Sequence, residues 1–141
     1  MSSRRDPLDF DRAAKRVPRH HWIWAPLEND PTFVLRSMFG SKAVYLQGRI
    51  LFAFCEGEEP WRGVLVATDR AHHDSLRREV RGLTTHSILG KWLYLPEESD
   101  AFESSARQLV RLVQARDPRI GVLPKPRKRK LSRSRNPSSR P

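Results

Sequence analysis

Residues 38–54 read MFGSKAVYLQGRILFAF, and the way this stretch folds decides the architecture of the chain. Two runs rich in Val, Tyr, Ile and Phe, 41–47 and 49–55, flank the dipeptide Gln47-Gly48. Glycine accepts the positive φ of a tight hairpin turn, so the pattern predicts two antiparallel strands that meet at Gly48. The stretch contains no base, no nucleophile and no phosphate-cradling glycine loop, and it reads as scaffold.

Toward the C-terminus the acidic loop EGEEP leads to WRGVLVA at 61–67, a third strand. Asp69 is placed to cap a helix over 70–80 that Gly82 stops, and 84–89 reads as irregular. KWLYL at 91–95 alternates as a fourth strand that Pro96 ends. Asp100 and Glu103 have capping-box spacing, and Phe102, Ala106, Leu109, Val110, Leu112 and Val113 then repeat with the helical period to Arg116. Asp117-Pro118 terminates that helix, and 120–123 is expected to lie against the body. Toward the N-terminus, Trp22, Ile23, Trp24 and Leu27 form an apolar knot, and TFVLRSM at 32–38 reads as a short turn of helix. Asp6 and Pro7 open a further helix over 7–17, with Leu8, Phe10, Ala13, Ala14 and Val17 at helical spacing. The sum is an α+β fold, a small antiparallel sheet of about four strands with helices packed mainly on one face.

The chain has 141 residues, a single-domain length. Residues 1–29 are expected to be a helical segment packed on the body, 30–123 the α+β domain, and 124–141 a Pro-, Ser- and Arg-rich tail without a core. The net charge of +11 is concentrated at the ends. Residues 20–123 hold 13 basic and 13 acidic side chains, whereas the tail holds eight basic ones and no acid. A nucleic-acid reading therefore attaches to the tail and not to the domain. Six basic groups fall within nine residues there, and the expected contact residues are Lys125, Arg127, Lys128, Arg129, Lys130, Arg133 and Arg135. Neutralising phosphates would give them a salt-sensitive, sequence-independent affinity for RNA or DNA.

No apolar run is long enough to cross a bilayer, and the first 16 residues lack the apolar core of a secretory signal, so a cytoplasmic protein with no membrane partner is expected. Cys55 is the single cysteine and reads as a small core residue.

The spacing of Met38-Phe39-Gly40, Val44-Tyr45-Leu46, Gly48-Arg49 and Leu51-Phe52-Ala53 resembles the signature of the TfoX N-terminal domain, MFGG followed by Y, DG and MFA. WLYLP followed by a long helix is also similar to that family and to the related MmcQ/YjbR-like proteins. The resemblance covers about residues 30–116. Ser41 and Gln47 stand where the family has a glycine and an aspartate, and no second TfoX-like pattern follows. It implies a small α+β module and brings no catalytic residue. A neutral body without catalytic groups beside an all-basic terminus then reads as a non-enzymatic interaction or regulatory module whose body recognises a protein or small partner through the sheet face or the acidic loop.

The histidines, His20-His21, His72-His73 and His86, read as surface or helix-end polar residues, because adjacent side chains cannot easily share one metal. No metal or cofactor is expected. Glu56, Glu58 and Glu59 read as a solvated acidic loop, and Trp22, Trp24, Trp61, Trp92, Tyr45 and Tyr94 as packing aromatics. The alternative to a non-enzymatic module is a small ligand-processing enzyme with a pocket near His86, Lys91 and Trp92, where polar groups meet aromatics.

Overall fold

The computed structural model describes residues 18–38 and 40–124. The expected helix over 7–17 and the whole basic cluster from Lys125 onward lie outside the described residues. A short helix α1 (His21–Trp24) runs into a 3-10 turn (Ala25–Leu27), followed by strands β1 (Val34–Met38), β2 (Ser41–Leu46), β3 (Arg49–Glu56) and β4 (Arg62–Ala67). A 3-10 turn (Arg70–His72), helix α2 (His73–Glu79), the two-residue β5 (Thr84–Thr85), β6 (Trp92–Pro96) and helix α3 (Phe102–Gln114) complete it. The fold is α+β as expected, but the sheet has six strands, in the order β1-β2-β3-β4-β6-β5, all antiparallel.

The hairpin read from residues 38–54 forms, with Gln47 at φ 53° and Gly48 at φ 76°, the two left-handed residues of a primed turn. Strand β3 carries a bulge: Val44 pairs with Phe52 and Tyr45 with Ile50, so Leu51 is extra. The bulge flips the phase of the strand, turning Leu51 into the core beside Phe52 while Ile50 faces the other way.

Residues 32–38, expected to be helical, are instead extended as the edge strand β1 (Val34–Met38), paired with β2 from Val34↔Tyr45 to Met38↔Ser41. A seven-residue stretch with four apolar side chains is ambiguous between the two periods, and the waiting edge of β2 decides it. Residues 84–89, read as irregular, contribute β5 on the opposite edge.

One register row, Leu35–Val44–Phe52–Val66–Leu93–Thr85, faces the helices; the adjacent row, Arg36–Ala43–Ala53–Leu65–Tyr94–Thr84, faces away. Ile23, Trp24 and Leu27, then Leu76 and Val80, then Ala106, Leu109, Val110 and Val113 cover the first face and close the main core. Trp24 sits 4.8 Å from Phe54, centre to centre. Neither expected acidic cap forms. The Asp69 side chain makes no capping bond, and Ala101, the residue before α3, donates its N–H to Ser99 Oγ, while Glu103 pairs forward with Arg107. The C-terminal end of α3 is a full Schellman motif, Arg116 N–H to Val113 O and Asp117 N–H to Leu112 O, with Arg116 at φ 63° where glycine is usual.

Beyond α3 the chain returns to the sheet. Ile50 and Val122 exchange both backbone hydrogen bonds, Gly121 N–H donates to Ala67 O, and Thr68 Oγ1 donates to Arg119 O. Residues 120–123 thus lie against the body, as their sequence suggested.

Candidate functional site

The face of the sheet away from the helices is also apolar. Ala53, Cys55, Leu65 and Tyr94 are buried there under Trp61 and Trp92. A strand buried on both faces shows no alternation, and the unbroken runs in β3, β4 and β6 are its sequence signature. That signal was available in ILFAFC and VLVA, and it points to an apolar second face that the reading of one helix-covered face passed over.

Into this face opens a cavity of about 290 Å³. Ala53, Cys55 and Leu65 floor it, Trp61, Trp92 and Leu89 wall it, and Met38, Gly40 and Ser41 line the β1–β2 side. Its charged rim is Glu56. Cys55 is at the floor with its thiol pushed up by burial, only partly opposed by Ser41, so it is a neutral apolar lining group. Ser41 Oγ donates to Met38 O at 2.7 Å.

Two loops hold the walls, and His86 ties them together. Its Nε2 lies 2.8 Å from Pro60 O, and its Nδ1 accepts from Leu89 N–H at 2.9 Å and from Ile88 N–H at 3.2 Å. Accepting two N–H groups leaves Nδ1 unprotonated, which fixes the Nε2–H tautomer as donor to Pro60. The ring packs between Trp61, tilted by 50° at 4.5 Å, and Tyr94, edge-on at 5.2 Å. Tyr94 Oη accepts from Arg62 N–H and sits 2.8 Å from both Glu59 Oε1 and Arg62 O, one of which takes its proton. Burial, then the Glu59 carboxylate, raises the Tyr94 hydroxyl above its ordinary value.

His86 is therefore a strut inside the structure, and with both ring nitrogens engaged it has no free lone pair for a general base. Lys91 is exposed. It shares with Trp92 a smaller cavity of about 130 Å³ that His86 does not line, so the three residues do not converge on one space.

His20-His21 and His72-His73 stand at the starts of α1 and α2, as read, but the surface half of that reading needs correction: His20, His73 and His86 are all buried. His73 Nε2 reaches Lys91 O at 3.1 Å. His20 is packed between Phe54 and Phe102, and neither ring nitrogen has a hydrogen-bond partner among the described residues, although Nε2 comes within 3.4 Å of Glu97 Oε2. Glu97 also binds Arg19 and Arg62; the hydrogen bond from Arg19, and then the charges of both guanidiniums, hold its carboxyl below the ordinary range. Among the described residues no three His, Cys, Asp or Glu side chains come together to hold a metal ion.

The acidic loop is exposed at Glu56, Glu58 and Glu59, as read. Of the packing aromatics, Trp24 and Tyr94 are buried. Trp22 is 37% exposed and carries the Arg107 guanidinium 5.0 Å above its ring. Among the described residues no helix is long and apolar enough to cross a membrane. No family model, curated protein or solved structure matches this chain.

Proposed function

We propose that the chain is a non-enzymatic, TfoX N-terminal-like interaction module in the cytoplasm, and that it takes an apolar or aromatic side chain of a protein partner between Trp61 and Trp92. The supporting observation is the cavity on the sheet face away from the helices, apolar at its floor and walls and charged only at Glu56. Two indole walls over a flat apolar floor suit a planar or branched side chain, and aromatic anchors in such pockets dominate binding energies. In this reading Lys125, Arg127, Lys128, Arg129, Lys130, Arg133 and Arg135 add generic affinity for RNA or DNA.

Two measurements separate the parts. Partners recovered from extract with the intact protein should be lost on Trp92→Ala and survive nuclease treatment; recovery that nuclease abolishes removes the protein partner. Binding to unrelated RNA and DNA should fall steeply with salt for the intact chain and be weak for a chain ending at Leu123. Equal affinities for the two chains would remove the basic cluster from the proposal.

A further inference from the structure

A second cavity, also of about 290 Å³, lies under the β2–β3 turn beside the C-terminal end of α3. Its apolar wall includes Leu51, Val113 and Ile120, and two guanidiniums, Arg49 and Arg116, line it. Arg49 Nη2 donates to Gly121 O at 2.8 Å, which occupies one of five N–H donors. Among the described residues neither arginine is held in an ion pair.

The carboxylate on the wall, Asp117, is already satisfied. Arg119 donates to its Oδ1 through Nε and the backbone N–H and to its Oδ2 through Nη2. Asp30, in an adjoining cavity of about 200 Å³ that Arg116 also lines, accepts from Thr32 and feels the Arg116 charge more weakly. Arg119 is shared between Asp117 and Glu79, so Asp117 still counts in the lining, and Arg49 and Arg116 against that one carboxylate leave an excess of about one positive charge, which matches a monoanion better than a phosphate dianion.

The backbone adds an independent observation. Gln47 and Arg116 are the two non-glycine residues at positive φ among the described residues, and both line this cavity. Arg116 occupies a position where glycine would sit without strain, so the guanidinium is kept there at a conformational cost. We propose that the cavity binds a small carboxylate with an apolar body, its carboxylate on Arg49 and Arg116 and its body against Leu51, Val113 and Ile120.

Hexanoate titrated into the intact protein and followed by methyl NMR tests this. Saturable shifts are expected at Leu51, Val113 and Ile120, with neutral hexanamide and inorganic phosphate each weaker by about tenfold, the difference one charge-assisted pair supplies. Arg116→Gly removes the charge while relaxing the backbone, so the fold is retained, and hexanoate binding should weaken by about tenfold. Arg49→Lys keeps the charge but loses the planar fork and should weaken binding less. No saturable shift at millimolar hexanoate, equal binding of hexanamide, tighter binding of phosphate, or an unchanged affinity in Arg116→Gly would each overturn the assignment.

Discussion

Replacing His86 by alanine strips three polar groups of their partner at once: Pro60 O, Leu89 N–H and Ile88 N–H. A buried group left unpaired costs ~1–3 kcal/mol, but Ile88 and Leu89 are both exposed and water can reach their N–H groups, so the main penalty is the one at the half-buried Pro60 O. Loss of the ring between Trp61 and Tyr94 adds ~0.5–1.5 kcal/mol. Partial relaxation of both loops brings the expected destabilisation to about 2 kcal/mol, a sizeable share of the ~5–15 kcal/mol that holds a domain folded. Guanidinium chloride unfolding followed by tryptophan fluorescence measures it as a lowered midpoint with an unchanged slope. His86→Asn, whose side-chain oxygen can accept in place of Nδ1, should recover part of the loss. A loss below about 1 kcal/mol in the alanine variant would refute the strut. A variant that keeps full stability yet loses a chemical activity would restore His86 as a reacting group.

Three further outcomes follow from the geometry. A Cβ on Gly63 would collide with Leu95 O and lie 2.9 Å from Glu97 N, at φ 148°, so Gly63→Ala should break the β4–β6 ladder and cost about 3–5 kcal/mol by the same unfolding assay. Arg116→Gly should stabilise the protein by about 1 kcal/mol, seen as a raised melting temperature, because the left-handed C-terminal position favours glycine. Burial holds His20 below its ordinary value of 6.5, with Glu97 only partly opposing it. Between that lowered value and 6.5 the unfolded chain binds a proton that the folded chain does not. Stability should therefore be full above about 6.5 and fall as the pH drops below it, and His20→Gln should flatten that part of the profile measured by unfolding midpoints from pH 7 to 5. An identical slope in wild type and His20→Gln would place the titrating group elsewhere.

The hairpin and α3 were legible in the sequence because each is specified locally: Gln47-Gly48 fixes the turn, and the apolar stripe from Phe102 to Val113 fixes the helix face. The edge strand β1 was not, because TFVLRSM fits either period and its state depends on β2, which pairs with it. The same applies to β5, two residues held only by β6. Capping failed as a local rule at Asp69 and Asp100, where backbone donors found Asp69 O and Ser99 Oγ instead. The Trp61–Trp92 cavity was half legible. Unbroken apolar strands announce a second buried face, but which side chains wall it depends on His86 joining two loops 26 residues apart in the chain.

The return of the chain after α3 has a mechanical consequence. Val122 is bonded to Ile50 in the middle of the sheet, and Gly121 to Ala67, so whatever grips the protein beyond residue 124 pulls almost directly on β3 and β4. Such a pull meets the Val122–Ile50 pair and the Gly121 bond before it reaches α3. A partner that tugs on the basic segment would thus be felt in the strands that floor the tryptophan-walled cavity, with a tether only a few residues long between them.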